Sequence, residues 1–250
     1  MPNQTSPTLF SGLDYMIRGF KLITDTGLKR FILIPLLINL FIFIALSYFV
    51  LQLFGDFNAW LSALLPEWLN FLAYMLWILL FIVFLIGYGY SFTLLTNLIA
   101  APFYGLLSEK VEAKLTGKTP TGESLWQMIP RTIGREIIKL CYLFGFGVLI
   151  FLALTLLAFI PLVNVATPLL GFLWSSWLMA IQYVDYPADN HRISFTKLRQ
   201  QLGSQRWASI GFGGWILLGS MAPIINIFIA PVAVTAGTLY WVESVSKEGQ

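Results

Sequence analysis

Residues 31–55 read FILIPLLINLFIFIALSYFVLQLFG and contain no charged side chain. A helix over residues 31–54 is about 36 Å long at about 1.5 Å per residue, which exceeds the roughly 30 Å hydrocarbon core of a bilayer. Three further stretches, 68–108, 140–184 and 207–242, also lack Asp, Glu, Lys, Arg and His. The sequence therefore predicts an all-α integral membrane protein with the lipid bilayer as its surroundings.

The composition agrees with that class. Of the 250 residues, 58% are hydrophobic and 11% are charged, against roughly a quarter charged in ordinary soluble domains. The chain has one histidine, one cysteine, no glycine-rich phosphate loop and no pair of carboxylates in its apolar stretches. We therefore predict neither an enzyme nor a cofactor or metal site.

The charged segments between the apolar stretches predict the orientation of the chain. Residues 109–139 and 185–206 carry most of the lysines and arginines, whereas the loop after the first helix carries Asp56 and Glu67 and no basic residue. By the positive-inside rule, we expect the basic loops and both termini in the cytoplasm of a bacterium, with the chain in the inner membrane. Membrane phosphates, and not nucleic acid, are the expected partner of these basic loops.

A helix at the membrane surface is predicted ahead of the first crossing. Ser6 followed by Pro7 is a start signal, because the hydroxyl can cap free amides and proline fits the first turn of a helix. We therefore expect an interfacial helix over residues 9–24 that begins near residue 6. Its apolar residues recur three and four positions apart and are expected to face the membrane together. They are Leu9, Phe10, Leu13, Met16, Ile17, Phe20 and Ile23.

The second charge-free stretch, 68–108, predicts one further crossing. It is long for a single crossing and too short for two with a turn between them. We expect one helix over residues 70–101 that breaks near Pro102.

Two basic segments are expected to form shorter helices on the cytoplasmic side. The first spans residues 103–139 and contains a turn from Gly117 to Gly122. The second spans residues 185–206, where Ser194 can cap a short helix and Gly203 can end it.

The remaining apolar stretches, 140–184 and 207–242, resemble each other in layout. Each contains the pattern Pro-x-x-Asn followed by another proline, which indicates a helix, a tight turn and a returning helix. The arms of the second stretch are about 16 residues or about 24 Å long, short of a bilayer core, so we predict a re-entrant hairpin there. The first stretch has 45 residues and could hold two crossings, but its turn from Pro161 to Pro168 contains no charge, so we predict a re-entrant hairpin there as well. Irregular backbone at membrane depth must be covered by protein or line a wet cavity, which predicts a homo-oligomer or a permeation path. Ordinary helical hairpins with apolar turns remain the alternative.

A candidate anion site lies where the surface helix meets the first crossing, at Gly27, Leu28, Lys29 and Arg30. A free helix N-terminus offers backbone amides and the positive end of its dipole, and Asp25 or Thr26 can cap it. Gly27 permits close approach to the backbone, and Arg30 can present a planar fork to two oxygens. The alternative is that the two basic residues only mark a cytoplasmic helix end.

Polar residues inside the apolar stretches are candidates for a pathway. Each can donate to a passing anion, although each can equally hold helices together. Because these stretches contain no ionisable residue, the sequence disfavours a proton relay through buried carboxylates. The candidates are Asn39, Asn97, Asn164, Gln182 and Asn226.

Three long strings carry a family resemblance: NLIAAPFYGLLSE at residues 97–109, QYVDYPADNH at 182–191 and PIINIFIAPVAV at 223–234. In order and spacing they are similar to the CysZ family of sulfate permeases, and the similarity runs from about residue 10 to residue 243. The junction at residues 27–30 resembles the glycine, leucine and basic pair of that family's sulfate site, with lysine at 29 where arginine is common.

The resemblance implies sulfate uptake for cysteine biosynthesis, two long membrane helices, two hairpins that enter the bilayer partway, and a homo-oligomer. The residues alone do not choose sulfate over phosphate, sulfite or chloride. A secondary transporter or exporter of another small anion or solute, and a membrane scaffold that transports nothing, remain the alternatives.

Overall fold

The computed structural model describes residues 8–24, 28, 30–64, 70–118 and 123–249. Every secondary-structure element in these ranges is helical. Eight α-helices follow one another in this part of the chain, and two short 3-10 turns accompany them, at Val163–Ala166 and Val245–Gly249. The helices are α1 (Ser11–Thr24), α2 (Arg30–Leu64), α3 (Asn70–Thr116), α4 (Leu125–Ala158), α5 (Thr167–Asn190), α6 (Phe195–Ser204), α7 (Arg206–Met221) and α8 (Pro223–Glu243).

The chain divides into two units. One is the hairpin of α2 and α3 between Pro35 and Ala100, and the other, here called the helical body, comprises Met1–Ile34 and Ala101–Gln250. Inside the hairpin, aromatic rings pair across the two helices, as between Phe54 and Trp77, whose centroids are 5.6 Å apart. Most large apolar side chains of the hairpin are exposed, as expected for a surface that faces lipid.

Two predicted boundaries in these helices are wrong. The first crossing was predicted to end at residue 54, but α2 continues through Asp56 to Leu64. Asp56 is exposed, and water can solvate a carboxylate on the surface of a helix. The charge therefore ends the apolar run of the sequence, but it does not end the helix. α3 likewise runs through Pro102 without the predicted break. Tyr104, two residues after Pro102, is buried in the helical body, and such packing outweighs the loss of the backbone hydrogen bond that proline removes.

The segment predicted as cytoplasmic helices, 103–139, is formed by the end of α3 and the start of α4. Gly117 ends α3 with a left-handed φ of 72°, and its amide donates to the carbonyl of Ala113 at 2.9 Å. This is the conformation that favours glycine after a helix. The rest of the predicted turn, residues 119–122, lies outside the described residues.

α8 is the central helix of the helical body, with α1, α5 and α7 packed around it. Nearly all of its side chains beyond its second turn are buried. Glycines permit the closest crossings: a methyl group at Gly213 of α7 would overlap the carbonyl oxygen of Ser176 on α5. At Gly19 of α1, an added Cβ would lie 2.8 Å from the backbone nitrogen of Ala236.

The sequence predicted that the apolar residues of α1 face one side together. The structure instead places them on two sides of the helix. Met16 and Ile23 are buried against the helical body, because the small residues Gly12 and Gly19 let α1 approach α7 and α8 closely. Phe10 and Phe20 are exposed on the other side. The predicted start near residue 6 falls outside the described residues, and the described helix begins at Ser11.

Polar groups also fasten α1 to the end of α8. The guanidinium of Arg18 donates to both carboxylate oxygens of Glu243, with Nη1 2.9 Å from Oε2, and these hydrogen bonds raise the pKa of Arg18. The hydroxyl groups of Tyr15 and Ser244 are 3.1 Å apart. Burial raises the pKa of Tyr15. Arg18 therefore stays charged and Tyr15 stays neutral at neutral pH.

The two predicted helical hairpins are present as helix–turn–helix units. α4 and α5 are joined by residues 159–166, and α7 and α8 by Ala222 alone. α7 has 16 residues, the length predicted for each arm, whereas α8 has 21 and is longer than predicted. Five segments of the described residues are long and apolar enough to cross a membrane: Leu33–Leu64, Met75–Thr116, Trp126–Ala158, Val163–Asn190 and Phe228–Lys247.

The short helix predicted within 185–206 is α6. Its N-cap is Ser194, whose hydroxyl oxygen accepts from the amide of Lys197 at 3.2 Å. Gly203 lies in the last turn and does not end the helix, which stops at Ser204. Residues 185–190 belong to α5.

Candidate functional site

The predicted anion site at the start of α2 lies partly outside the described residues. Gly27 and Lys29 are among those left out, as is the side chain of Arg30. Leu28 forms part of a turn and is buried, with 6% of its surface exposed. Arg30 is the first residue of α2. Asp25 and Thr26, the predicted caps of this helix, lie outside the described residues.

This arrangement leaves the first amides of a very long helix next to a buried leucine. The amides of residues 30–32 have no acceptors within α2, because the N–H groups of the first helical turn lack intrahelical acceptors. The helix dipole adds a positive potential at the same end. A buried Leu28 anchors the turn that leads into these amides, which favours a fixed backbone geometry.

The polar pathway candidates fall in different places. Asn39 and Asn97 lie in the α2–α3 hairpin and are half-buried, and Oδ1 of Asn39 is buried with no hydrogen-bond partner among the described residues. Asn164 lies in the turn between α4 and α5, Asn226 lies in the first turn of α8, and both are exposed. Gln182 lies about 22 Å along α5 from the start of that helix, given its rise of about 1.5 Å per residue.

Gln182 touches a buried charge cluster that the sequence analysis missed. Its amide nitrogen is 3.4 Å from Oε1 of Glu136 and 3.5 Å from the hydroxyl of Tyr186. Lys139 has no exposed surface, and its Nζ lies 2.6 Å from Glu136 and 3.5 Å from Asp185. We call Arg135, Glu136, Lys139 and Asp185 the buried cluster.

The buried cluster joins α4 to α5 through charge-assisted hydrogen bonds. Arg135 donates to Oδ1 of Asp185 from Nε at 2.9 Å and from Nη2 at 2.6 Å, and to the carbonyl of Ile193 at 2.8 Å. One turn earlier, Nη1 of Arg131 lies 2.5 Å from the carboxylate of Asp189. Two positive and two negative side chains make the buried cluster neutral overall, as burial of charge requires.

A cavity of about 700 Å³ opens beside this cluster. Three guanidinium groups line it, from Arg131, Arg135 and Arg192, together with the carboxylates of Glu123 and Asp189. Each guanidinium already lies within 4.0 Å of a carboxylate. An oxyanion would have to displace a carboxylate to bind there, so the cavity is a weaker candidate than the free amides of α2.

A spacing signal for the cluster was present in the sequence. Arg131, Arg135 and Lys139 recur every four residues and so share one face of α4, while Asp185 and Asp189 share one face of α5. These charges flank the apolar stretches and were interpreted only as orientation signals. Lys139, Asp185 and Asp189 are buried, and Arg131 and Arg135 are half-buried.

Comparison with known proteins gives one consistent result. Residues 15–231 match the family model described as "Sulfate transporter CysZ/Etoposide-induced protein 2.4". The chain is 43% identical over 245 residues to the sulfate transporter CysZ of Pseudomonas paraeruginosa, and the alignment covers 96% of each chain. It is 40% identical over 240 residues to that of Salmonella typhimurium, covering 93% of this chain and 92% of the relative. At this identity and coverage, the chain belongs to the sulfate transporter CysZ/etoposide-induced protein 2.4 family.

Proposed function

We propose that the protein takes up sulfate across the inner membrane of a bacterium and so supplies cysteine biosynthesis. The observation that carries this proposal is the full-length similarity to proteins named sulfate transporter CysZ. The long apolar helices suit a multi-pass membrane protein, and a transporter family favours a transport role over a catalytic one.

We place sulfate binding at the junction of residues 27–30. The beginning of α2 at Arg30 supports this assignment, because free amides and a helix dipole then face the same anion. Leu28 contributes its backbone amide while its side chain is anchored in the helical body. Arg30 supplies a bidentate fork, and Lys29 adds mainly charge.

The proposed membrane arrangement has two full crossings, by α2 and α3, with α4–α5 and α7–α8 as re-entrant hairpins. The length of α7 supports it for the second hairpin, since 16 residues span about 24 Å, whereas the 21 residues of α8 are long enough for a crossing. α4 and α5 have 34 and 24 residues, which is enough for either a crossing or partial insertion. The basic loops and both termini are placed in the cytoplasm. We propose a homo-oligomer because partner subunits would cover the backbone at re-entrant turns.

Reconstituted protein tests the transport function directly. We expect proteoliposomes to accumulate radiolabelled sulfate, and unlabelled sulfate to compete. Uptake is measured with and without an imposed proton gradient. Light scattering on the same preparation gives the number of subunits. A membrane scaffold would show no flux, and a transporter of another solute would show flux only when that solute replaces sulfate.

Cysteine labelling tests the membrane arrangement. Cys141 is exposed, so it is first replaced by serine, and single cysteines are introduced at Val163, Ile225 and Asn58. We expect a membrane-impermeant maleimide added from the periplasm to label Asn58→Cys, near the end of α2, and to leave the two hairpin turns unlabelled. Rapid labelling at Val163→Cys alone would make α4 and α5 full crossings, and rapid labelling at both turns would reject the re-entrant arrangement.

A further inference from the structure

Arg199 of α6 has an unusual environment among the arginines of the described residues. Its guanidinium lies over the ring of Tyr142 on α4, 4.5 Å from the centroid, and over the ring of Phe195 at 5.4 Å. The side chain is half-buried, and its Nε is buried with no hydrogen-bond partner in the part of the chain that the structure describes. The two rings hold the cation in one place through cation–π attraction.

Carboxylates balance the charges of the neighbouring arginines, whereas no carboxylate of the described residues pairs with Arg199. Arg131, Arg135 and Arg192 each pair with a carboxylate within 4.0 Å. Arg135 also lies over Phe195 at 5.4 Å, but its donors are used by Asp185 and by the carbonyl of Ile193. Over the described residues, Arg199 forms no ion pair. A cation partly withdrawn from water and held without a counter-charge is a site for an external anion.

The position of Arg199 along the membrane normal indicates which anion is near. Tyr142 lies at the start of the charge-free run that begins at residue 140. On α4, Ile138 and Phe144 are 56% and 72% exposed, which marks a lipid-facing surface. On α6, Lys197 is also exposed. The guanidinium therefore lies where an apolar surface meets a basic one, at the level of lipid headgroups.

We propose that Arg199, on the platform of Tyr142 and Phe195, binds the phosphate of an anionic phospholipid. The planar guanidinium matches two phosphate oxygens, and an acyl chain continues along the exposed apolar face of α4. Arg135 lies over the same ring but is already paired with Asp185, whereas Arg199 has no ion pair in the part of the chain that the structure describes, so a headgroup phosphate is the counter-charge that the bilayer can supply. This binding does not depend on sulfate transport.

The test compares two charge-neutralising variants on the same helix. Full-length protein in a neutral detergent is titrated with phosphatidylglycerol, and bound lipid is counted by native mass spectrometry. We expect Arg199→Gln to weaken binding of one phosphatidylglycerol by about tenfold or more, as loss of a charge-assisted hydrogen bond implies. Lys197→Gln, which removes an exposed charge from the same helix, should change it less than about threefold. Arg199→Lys should lie between them, because it keeps the charge and loses the fork.

Three outcomes would overturn the proposal. Equal loss in Arg199→Gln and Lys197→Gln would mean that only general surface charge attracts the lipid. Unchanged binding in Arg199→Gln, with a melting temperature equal to that of the parent, would mean that the arginine serves packing alone. Displacement of the lipid by inorganic sulfate at millimolar concentration from the parent, but not from Arg199→Gln, would assign the site to the free ion.

Discussion

Arg30→Ala is expected to weaken sulfate binding by roughly ten- to a hundred-fold. A charge-assisted hydrogen bond is worth about 1.5 to 3 kcal/mol, and every 1.4 kcal/mol changes a dissociation constant about tenfold. Arg30 begins α2, so its loss removes the fork and leaves the amides of the same helix end in place. Sulfate affinity of the purified protein, and uptake by proteoliposomes at equal protein content, give the measurement.

Two neighbouring changes separate the contributions of charge and backbone. Lys29→Ala should cost less than Arg30→Ala and depend more on ionic strength, because a lysine ammonium is a point charge without the planar fork of arginine and acts mainly through a field that salt screens. Gly27→Val should weaken binding without changing charge, because a branched side chain blocks the approach of the ion to the amides. Should Arg30→Ala bind and transport sulfate as the parent does, the junction is only an orientation signal.

The sequence predicted caps and turns well where residues close to one another in the chain determine them. Ser194 was predicted to cap a helix, and its hydroxyl does so. The turns between the paired apolar arms also fall where proline and asparagine cluster. Asp56 and Pro102 misled the prediction because a charge or a proline was taken as the end of a helix, whereas solvation at Asp56 and packing around Pro102 let α2 and α3 continue.

The buried cluster could not be predicted by scanning for charge-free stretches. Glu136 and Lys139 lie just before residue 140, and Asp185 lies just after residue 184. A scan for the longest apolar runs excludes such residues by definition. Their burial depends on the pairing of α4 with α5, and only the matched four-residue spacing on both helices indicates it.

For the junction at residues 27–30, the prediction of a sulfate site rests on the resemblance to the CysZ family and on the start of α2.

Asp185→Asn is expected to destabilise the protein strongly. Asp185 is 1% exposed, and it accepts from Arg135 while lying 3.5 Å from Nζ of Lys139. Loss of its charge leaves the buried Lys139 and the half-buried Arg135 with the single carboxylate of Glu136. Breaking a buried ion pair typically costs about 3 to 5 kcal/mol. For a chain of this size, that corresponds to a fall in Tm on the order of 10 °C, measured by intrinsic tryptophan fluorescence in detergent.

The matched control is Asp14→Asn on α1. Asp14 lies 3.3 Å from Arg18, but its side chain is 64% exposed, so the same substitution there should lower Tm by no more than about 2 to 4 °C, as expected for an exposed pair worth at most about 1 kcal/mol. The two substitutions remove the same charge in the same helical body and differ chiefly in burial. A comparable fall in both variants would show that burial of Asp185 adds nothing.

Neutralising a cation together with Asp185 should recover part of the lost stability. In Asp185→Asn/Arg135→Gln the positive charge without a partner is gone, and amide groups can hydrogen-bond across α4 and α5 in place of the ion pair. The double variant should therefore melt above Asp185→Asn, because the penalty for an uncompensated buried charge exceeds the net value of the pair. Arg135 also donates to the carbonyl of Ile193, so recovery should be incomplete. Additive losses in the double variant would mean that the two side chains act independently and that their pairing does not hold α4 against α5.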